Sequence, residues 1–325
     1  MKRRTLLATL LAMTFITSGL ACAQTVISRP IRLIVPYVPG GGTDTLSRMI
    51  APFISEEFGQ PIVVDNRPGA SSTIGTQIVA RATPDGQTIG MIDPAFLSNP
   101  SLYAKLPYDT LKDFTPVVLV AKAPLVLCVH PSSPAATIKE LVALAKANPG
   151  KLTFGSAGNG GGAHLAGEQL RRAAGIDLIH VPYKGAGQQL TDLLGAQTNV
   201  GFFIPSVARA HITSGRLRAL GTTSATRSKS FPGVPTFQES GYPAVDAISL
   251  NGIIAPARTP TDYVTRLNAT IVRALNRPEM QQRLLELGFE QASGTPQEFK
   301  AMIAREIPKL GKLIKDAGIQ VESLQ

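Results

Sequence analysis

The chain has 325 residues, 44% of them hydrophobic, and a formal charge of +10. The length allows two lobes of ~150 residues each, and the apolar content excludes a disordered chain. Its cations are scattered through helical segments, no basic run is interleaved with aromatics, and tryptophan is absent; the charge therefore reads as a solvated surface with modest anion steering, and not as a nucleic-acid interface.

Lys2, Arg3 and Arg4 form a cationic start, Thr5 to Leu20 is an apolar stretch, and Ala21-Cys22-Ala23 offers a small-x-small cleavage site. Residues 1–23 thus read as a cleaved signal peptide, with export to the periplasm and a mature chain beginning at Gln24. The stretch is shorter than the ~20 residues that span a bilayer. Lipoprotein anchoring through Cys22 is the alternative, and Gly19 and Leu20 fit it poorly. Cleavage leaves Cys128 without a disulfide partner, between Leu127 and Val129, as a small core residue.

Strand and helix then alternate, which predicts α/β lobes with mainly parallel sheets flanked by helices. Residues 31–35, 62–64 and 88–92 read as strands, with helices at 44–58 and 72–82 between them. Residues 117–120 and 125–129 read as strands crossing between lobes. A second series follows: helices at 137–147, 163–174 and 186–194, and strands at 152–154, 178–181 and 200–203. Residues 248–255 cross back, and helices at 261–275, 279–287 and 297–315 close the chain on the first lobe. The expected division is 24–124 with 249–325 as lobe 1, and 125–248 as lobe 2.

Three strand-to-helix turns are rich in glycine and small residues: Pro36 to Asp44, Asn66 to Ser72, and Phe154 to His164. Glycines let a ligand approach the backbone, and N–H groups at a helix start favour anions. The third turn contains Gly158-Asn159-Gly160 followed by Ala163, close to a dinucleotide fingerprint, but the next strand ends in Pro182, Tyr183 and Lys184 where a ribose-binding acid is needed. There is no phosphate-binding Gly-x-x-x-x-Gly-Lys run, no Gly-x-Ser-x-Gly elbow at Ser156, and no His-Glu-x-x-His; His164 and Glu168 form only a lone pair four residues apart. No cofactor, no metal and no catalytic residue are expected. A periplasmic hydrolase using Ser156 with His164 is the enzymatic alternative. Amide-rich turns at the strand ends of two lobes instead describe a clamshell cleft.

Along the chain stand Pro39-Gly40-Gly41 with Asp44, Asn66-Arg67-Pro68-Gly69-Ala70, Pro84-Asp85-Gly86, Asp113-Phe114-Thr115-Pro116, His164-Leu165-Ala166-Gly167-Glu168, His180-Val181-Pro182-Tyr183-Lys184-Gly185, Gly215-Arg216-Leu217-Arg218-Ala219-Leu220, Val234-Pro235-Thr236 and Ala255-Pro256. In these motifs the chain closely resembles the Bug family, periplasmic receptors of tripartite tricarboxylate transporters. The resemblance implies a two-lobed periplasmic-binding fold without enzymatic activity. It implies a small carboxylate ligand and delivery to membrane transporter subunits, with a sensing role beside a membrane kinase as the alternative and a monomer as the expected state. By matching motif it places the ligand against Tyr37, Gly41, Gly42, Ala70 and Ser71 in the first lobe. In the second it places Ser156, Asn159, His164 and the turn at Lys184 and Gly185. The chain departs from many relatives at Phe203, where an acid or amide is common, and at Leu250, where tryptophan is common. An apolar Phe203 favours a carboxylate of aromatic or dicarboxylic type without a free amine.

Overall fold

The computed structural model describes residues 29–228 and 231–319; residues 1–23, expected to form a signal peptide, and Cys22 among them lie outside the described residues. Its first sheet is built from β1 (Ile31–Val35), β2 (Ile62–Asn66), β3 (Thr88–Ile92), β4 (Phe114–Pro124), β10 (Ile248–Pro256) and β11 (Glu290–Gln291), in the order β11-β4-β10-β3-β1-β2. The second is built from β5 (Val126–Val129), β6 (Leu152–Ser156), β7 (Leu178–Pro182), β8 (Val200–Phe203) and β9 (Arg218–Thr222), in the order β7-β6-β8-β5-β9.

Buried apolar runs explain the central strands. All five residues of β3 and all four of β5 are buried, as expected where helices cover both faces of a sheet. Around the first sheet lie α1 (Gly42–Phe58), α2 (Thr73–Ala80), α3 (Pro94–Leu102), α8 (Thr261–Leu275), α9 (Pro278–Glu286) and α10 (Pro296–Asp316). Around the second lie α4 (Ile138–Ala147), α5 (Gly162–Ala174), α6 (Ala186–Leu194) and α7 (Pro205–Thr213).

The two-lobed α/β architecture is the one implied by the sequence, but both sheets are mixed where mainly parallel ones were expected. β1 runs parallel to β2 and β3, and β6 parallel to β7 and β8. β10 is antiparallel to β3 and β4, and β5 to β8 and β9. A chain that enters and leaves each lobe through strands has to run some of them in opposite directions. β4 passes into β5 through the single residue Leu125, while β10 pairs back along β4 from Ile248 opposite Pro124. At this border the Leu125 N–H donates to Thr223 Oγ1, and the Thr223 N–H donates to the Leu125 carbonyl, both at 2.9 Å.

Side chains of α8, α9 and α10 join the cores around the first sheet, and α10 also reaches the second lobe. Its Ile314 joins the core of the second lobe together with Leu102 and Tyr103 from the end of α3. Ser98 on α3 donates to the Gly160 carbonyl across the lobes at 2.9 Å. The strand ends of both lobes therefore face each other, and their turns meet at this contact.

Candidate functional site

Between the lobes lies a cavity of about 480 Å³. Its wall is formed where five helices begin: α1 at Gly41 and Gly42, α3 at Asp93 and Pro94, α5 at Gly161 and Gly162, α6 at Gly185 and Ala186, and α7 at Ser206 and Val207. None of these five carries a side-chain cap hydrogen bond. By contrast, Thr137 caps α4 and Thr295 forms a capping box on α10, both away from the cavity. Uncapped starts leave backbone N–H groups without intrahelical partners, and each helix end carries about half a positive charge. Glycine at five of these ten positions removes the side chain that would stand between those amides and a ligand.

No lysine, arginine or histidine lines the cavity among the described residues, and Asp93 is the only charged side chain on its wall. The rest of the wall is largely apolar, with Phe202, Phe203, Ile204 and Leu190 from the second lobe. Three wall residues each hold a buried polar atom without a partner among the described residues: Asp93 Oδ1, Gln189 Oε1 and Ser206 Oγ. Buried groups of this kind call for a partner such as water or ligand. Gln189 Nε2 donates to the carbonyls of Gly155 at 2.9 Å and Phe202 at 3.1 Å, which ties α6 to two strand ends.

The structure brings Tyr37, Gly41, Gly42, Gly185 and Phe203 to the cavity wall. The other sequence-derived positions, Ala70, Ser71, Ser156, Asn159, His164 and Lys184, do not line it. Ala70, Ser71 and Ser72 are three consecutive non-glycine residues with φ of 45°, 46° and 71°. That left-handed run costs energy and is held in place by Asn99, whose Nδ2 donates to the Ser71 carbonyl at 2.8 Å. Leu250 is buried in the first-lobe core with Ile92 and Phe96, and its neighbour Ser249 takes the wall position instead. Gly41 has φ −77°, so the strained backbone in that turn belongs to Gly40 at φ 90°.

His164 and Ser156 support the third glycine turn from behind. His164 is 3% exposed, and its Nδ1 accepts from the Gly160 N–H at 2.9 Å. Its ring stacks on His180 with centroids 3.9 Å apart, and Phe154 stacks against both imidazoles, 4.8 Å from His180 and 6.3 Å from His164. His180 Nε2 lies 2.7 Å from Ser156 Oγ, which also reaches the Gly158 carbonyl at 3.0 Å. The serine is thus paired with His180 and not with His164. At 1% exposure it offers no surface to a substrate, which removes the basis of the hydrolase alternative.

Burial pushes the His164 pKa down to about 4 and the His180 pKa down to about 3; Arg171 adds to both, and the stacked His164 lowers His180 further. Both rings are neutral in the folded state at pH 7. The unfolded chain takes up their protons below about 6.5, so stability is lost as pH falls from there towards 4, at about 1.4 kcal/mol per pH unit for each ring. Glu168 and Asp93 act in the opposite direction, because burial raises both carboxyls. The slope of unfolding free energy against pH between 6.5 and 4 should therefore become less steep in His180→Gln, which retains a hydrogen bond to Ser156. An unchanged slope in denaturant titrations would count against this assignment.

Asp93, Gln189 and Ser206 escaped the sequence reading. Asp93-Pro94 directly after a strand is a helix-start signature that could have found the first. The other two follow only from how α6 and α7 dock.

The model of the tripartite tricarboxylate transporter family receptor matches residues 46–319. A Pseudomonas sp. (strain P51) protein from the tcbD-tcbE intergenic region is 38% identical over 314 residues, covering 96% of this chain and 94% of the relative. Protein BugT of Bordetella pertussis is 36% identical, over 94% of this chain and 95% of its own. Among solved structures, the periplasmic binding protein BugD superposes with a TM-score of 0.85 at 35% identity, covering 91% of this chain and 99% of its own. R. palustris Rpa4515 with adipate gives 0.87 at 33% identity, covering 92% and 99%. MatC from Rhodopseudomonas palustris with bound malate gives 0.83 at 29% identity, covering 89% and 99%.

Proposed function

The chain belongs to the tripartite tricarboxylate transporter receptor family, and from that premise we propose that it captures a small carboxylate in the cavity between its lobes and delivers it to membrane transporter subunits. The family is one of periplasmic solute-binding receptors and not of enzymes. The observation that carries the ligand class is the ring of five uncapped helix starts around a wall that has no cation among the described residues. Such a wall stabilises an anion through amides and dipoles without a fixed positive side chain. The adipate and malate of two similar structures support the same class.

The apolar second-lobe wall, with Phe203 on it, favours an aromatic or dicarboxylic ligand. A free ammonium brought among helix N-termini would meet potential of its own sign. Capture involves closure of lobe 1 (24–124 and 249–325) on lobe 2 (125–248) by a monomer exported with its signal peptide removed, and the Leu125–Thr223 crossing acts as the hinge.

A thermal-shift and calorimetric screen of the mature protein against adipate, glutarate, malate, benzoate, glutamate and aspartate tests this reading. A cognate acid at a hundredfold excess over its Kd should stabilise the fold by about 2.7 kcal/mol. Tight binding of glutamate or aspartate, with no amine-free acid bound, would overturn the ligand class.

A further inference from the structure

The cavity wall holds one group of the same sign as the anion it is built to receive. Asp93 ends the turn after β3 and stands at the N-cap of α3, on the wall, at 6% exposure. Its Oδ2 accepts from the Tyr37 hydroxyl at 2.6 Å. Its Oδ1 is buried and has no partner among the described residues. The amides of Ala95 and Phe96 at the start of α3 favour its charged form, although neither makes a cap hydrogen bond to the side chain. A solvated surface carboxylate would need no explanation. A buried one, on the wall of an anion cavity with half its acceptor capacity unused, does.

We propose that Asp93 serves as a neutral hydrogen-bond donor to the ligand's carboxylate, so that the cleft takes up one proton from solvent with each anion it binds. This rests on the carboxylate reading above. Tyr37 occupies Oδ2, which leaves Oδ1 to carry the proton. Two carboxylates within hydrogen-bond reach cannot both stay ionised, because the second charge raises the pKa of the first. One shared proton turns that repulsion into a short O–H···O⁻ bond of about 2.5–2.7 Å.

The surroundings support the same proton. The titratable groups facing Asp93 are tyrosines: Tyr37 from the turn after β1 and Tyr108 from the segment after α3, with Tyr103 at the end of α3 acting on Tyr37. No lysine, arginine or histidine is among the groups acting on Asp93. Burial already raises the Asp93 pKa to about 6 in the unliganded cleft, so the ligand has only to raise it further. The sign then follows from linkage. The complex binds more protons than the free receptor, so affinity rises as pH falls towards 6, with a limit of about tenfold per pH unit. An amine-bearing ligand held by ionised Asp93 would show the opposite sign.

The test is calorimetry of the mature protein with adipate and with benzoate at pH 8 and pH 6.5, in buffers of differing ionisation heat, beside Asp93→Asn. Asparagine keeps an acceptor for Tyr37 and an N–H donor for the ligand. Wild type should bind about tenfold more tightly at pH 6.5 than at pH 8, with close to one proton taken up at the higher pH. Asp93→Asn should bind with pH-independent affinity and no proton uptake. Binding by wild type that is flat in pH, or that weakens as pH falls, overturns the proton-sharing role and leaves the carboxylate receptor standing. A wild type that binds neither acid at either pH overturns both. Equal pH dependence in Asp93→Asn assigns the proton to another group and also overturns the proposal.

Discussion

Gly42→Val is expected to abolish ligand binding while leaving both lobes folded. Gly42 is the first residue of α1 on the first lobe, and a Cβ there would run into the side chain of Ile204 on the second lobe and come within 3.0 Å of the Phe289 ring. The position lies outside the positive-φ region, so the backbone itself tolerates a side chain. What cannot be tolerated is the approach of the two lobes. The valine should hold the cleft apart, separating the α1 amides from those of α7 and making full coordination of the anion impossible. A loss of at least a hundredfold in affinity, about 2.7 kcal/mol, should accompany an unaltered Tm of the unliganded protein. The scattering radius should no longer shrink when ligand is added. Gly41→Ala is the matched control, since a Cβ at Gly41 meets nothing within 4 Å and should cost only a few-fold. Wild-type affinity in Gly42→Val would show that the lobes do not need this contact to close.

The contrast between these neighbouring glycines shows where a sequence stops being informative. A run of three glycines before a helix announces an amide-rich turn, and the turn is indeed on the cavity wall. Which of the three faces the opposite lobe depends on Ile204, more than 160 residues away in the chain. The central strands were legible because their residues are apolar without interruption. α3 was not, because seven of its nine residues are buried, so no polar face marks a helical period, and Pro94 and Pro100 punctuate it. Its N-terminus nevertheless brings Asp93 to the site. β10 poses the complementary problem. Side chains alternate along a strand, so Ser249 faces the cavity and Leu250 the core, and a one-residue choice of face needs the sheet order β4-β10-β3 to be known. His164 stands at the right place in its turn for a ligand contact, but the turn folds its ring back onto His180.

That fold-back leads to the second large effect: Gly167→Val should lower both stability and affinity, although residue 167 lies outside the cavity wall. Gly167 is on the buried face of α5, where a Cβ would enter the ring of Phe154. Phe154 is fully buried on β6 and is flanked by the stacked imidazoles of His180 and His164. Adding a branched side chain to a packed core of this kind costs about 1–3 kcal/mol, because rings must leave their rotamers or the helix must shift. The displaced Phe154 would pass the disturbance along a short physical path. His180 fixes Ser156, Ser156 meets the Gly158 carbonyl, and His164 Nδ1 holds the Gly160 amide. Those contacts shape the turn that presents Gly161 and Gly162 to the cavity. A fall in Tm of several degrees should therefore come with at least a tenfold weaker Kd, measured well below the new Tm so that unfolding does not imitate lost affinity. Gly187→Ala, on the wall itself but with open space where its Cβ would stand, should leave Tm unchanged. If Gly167→Val melts at the wild-type temperature, α5 does not rest on Phe154 as described. If it melts lower but binds normally, the stacked rings hold the core and not the turn.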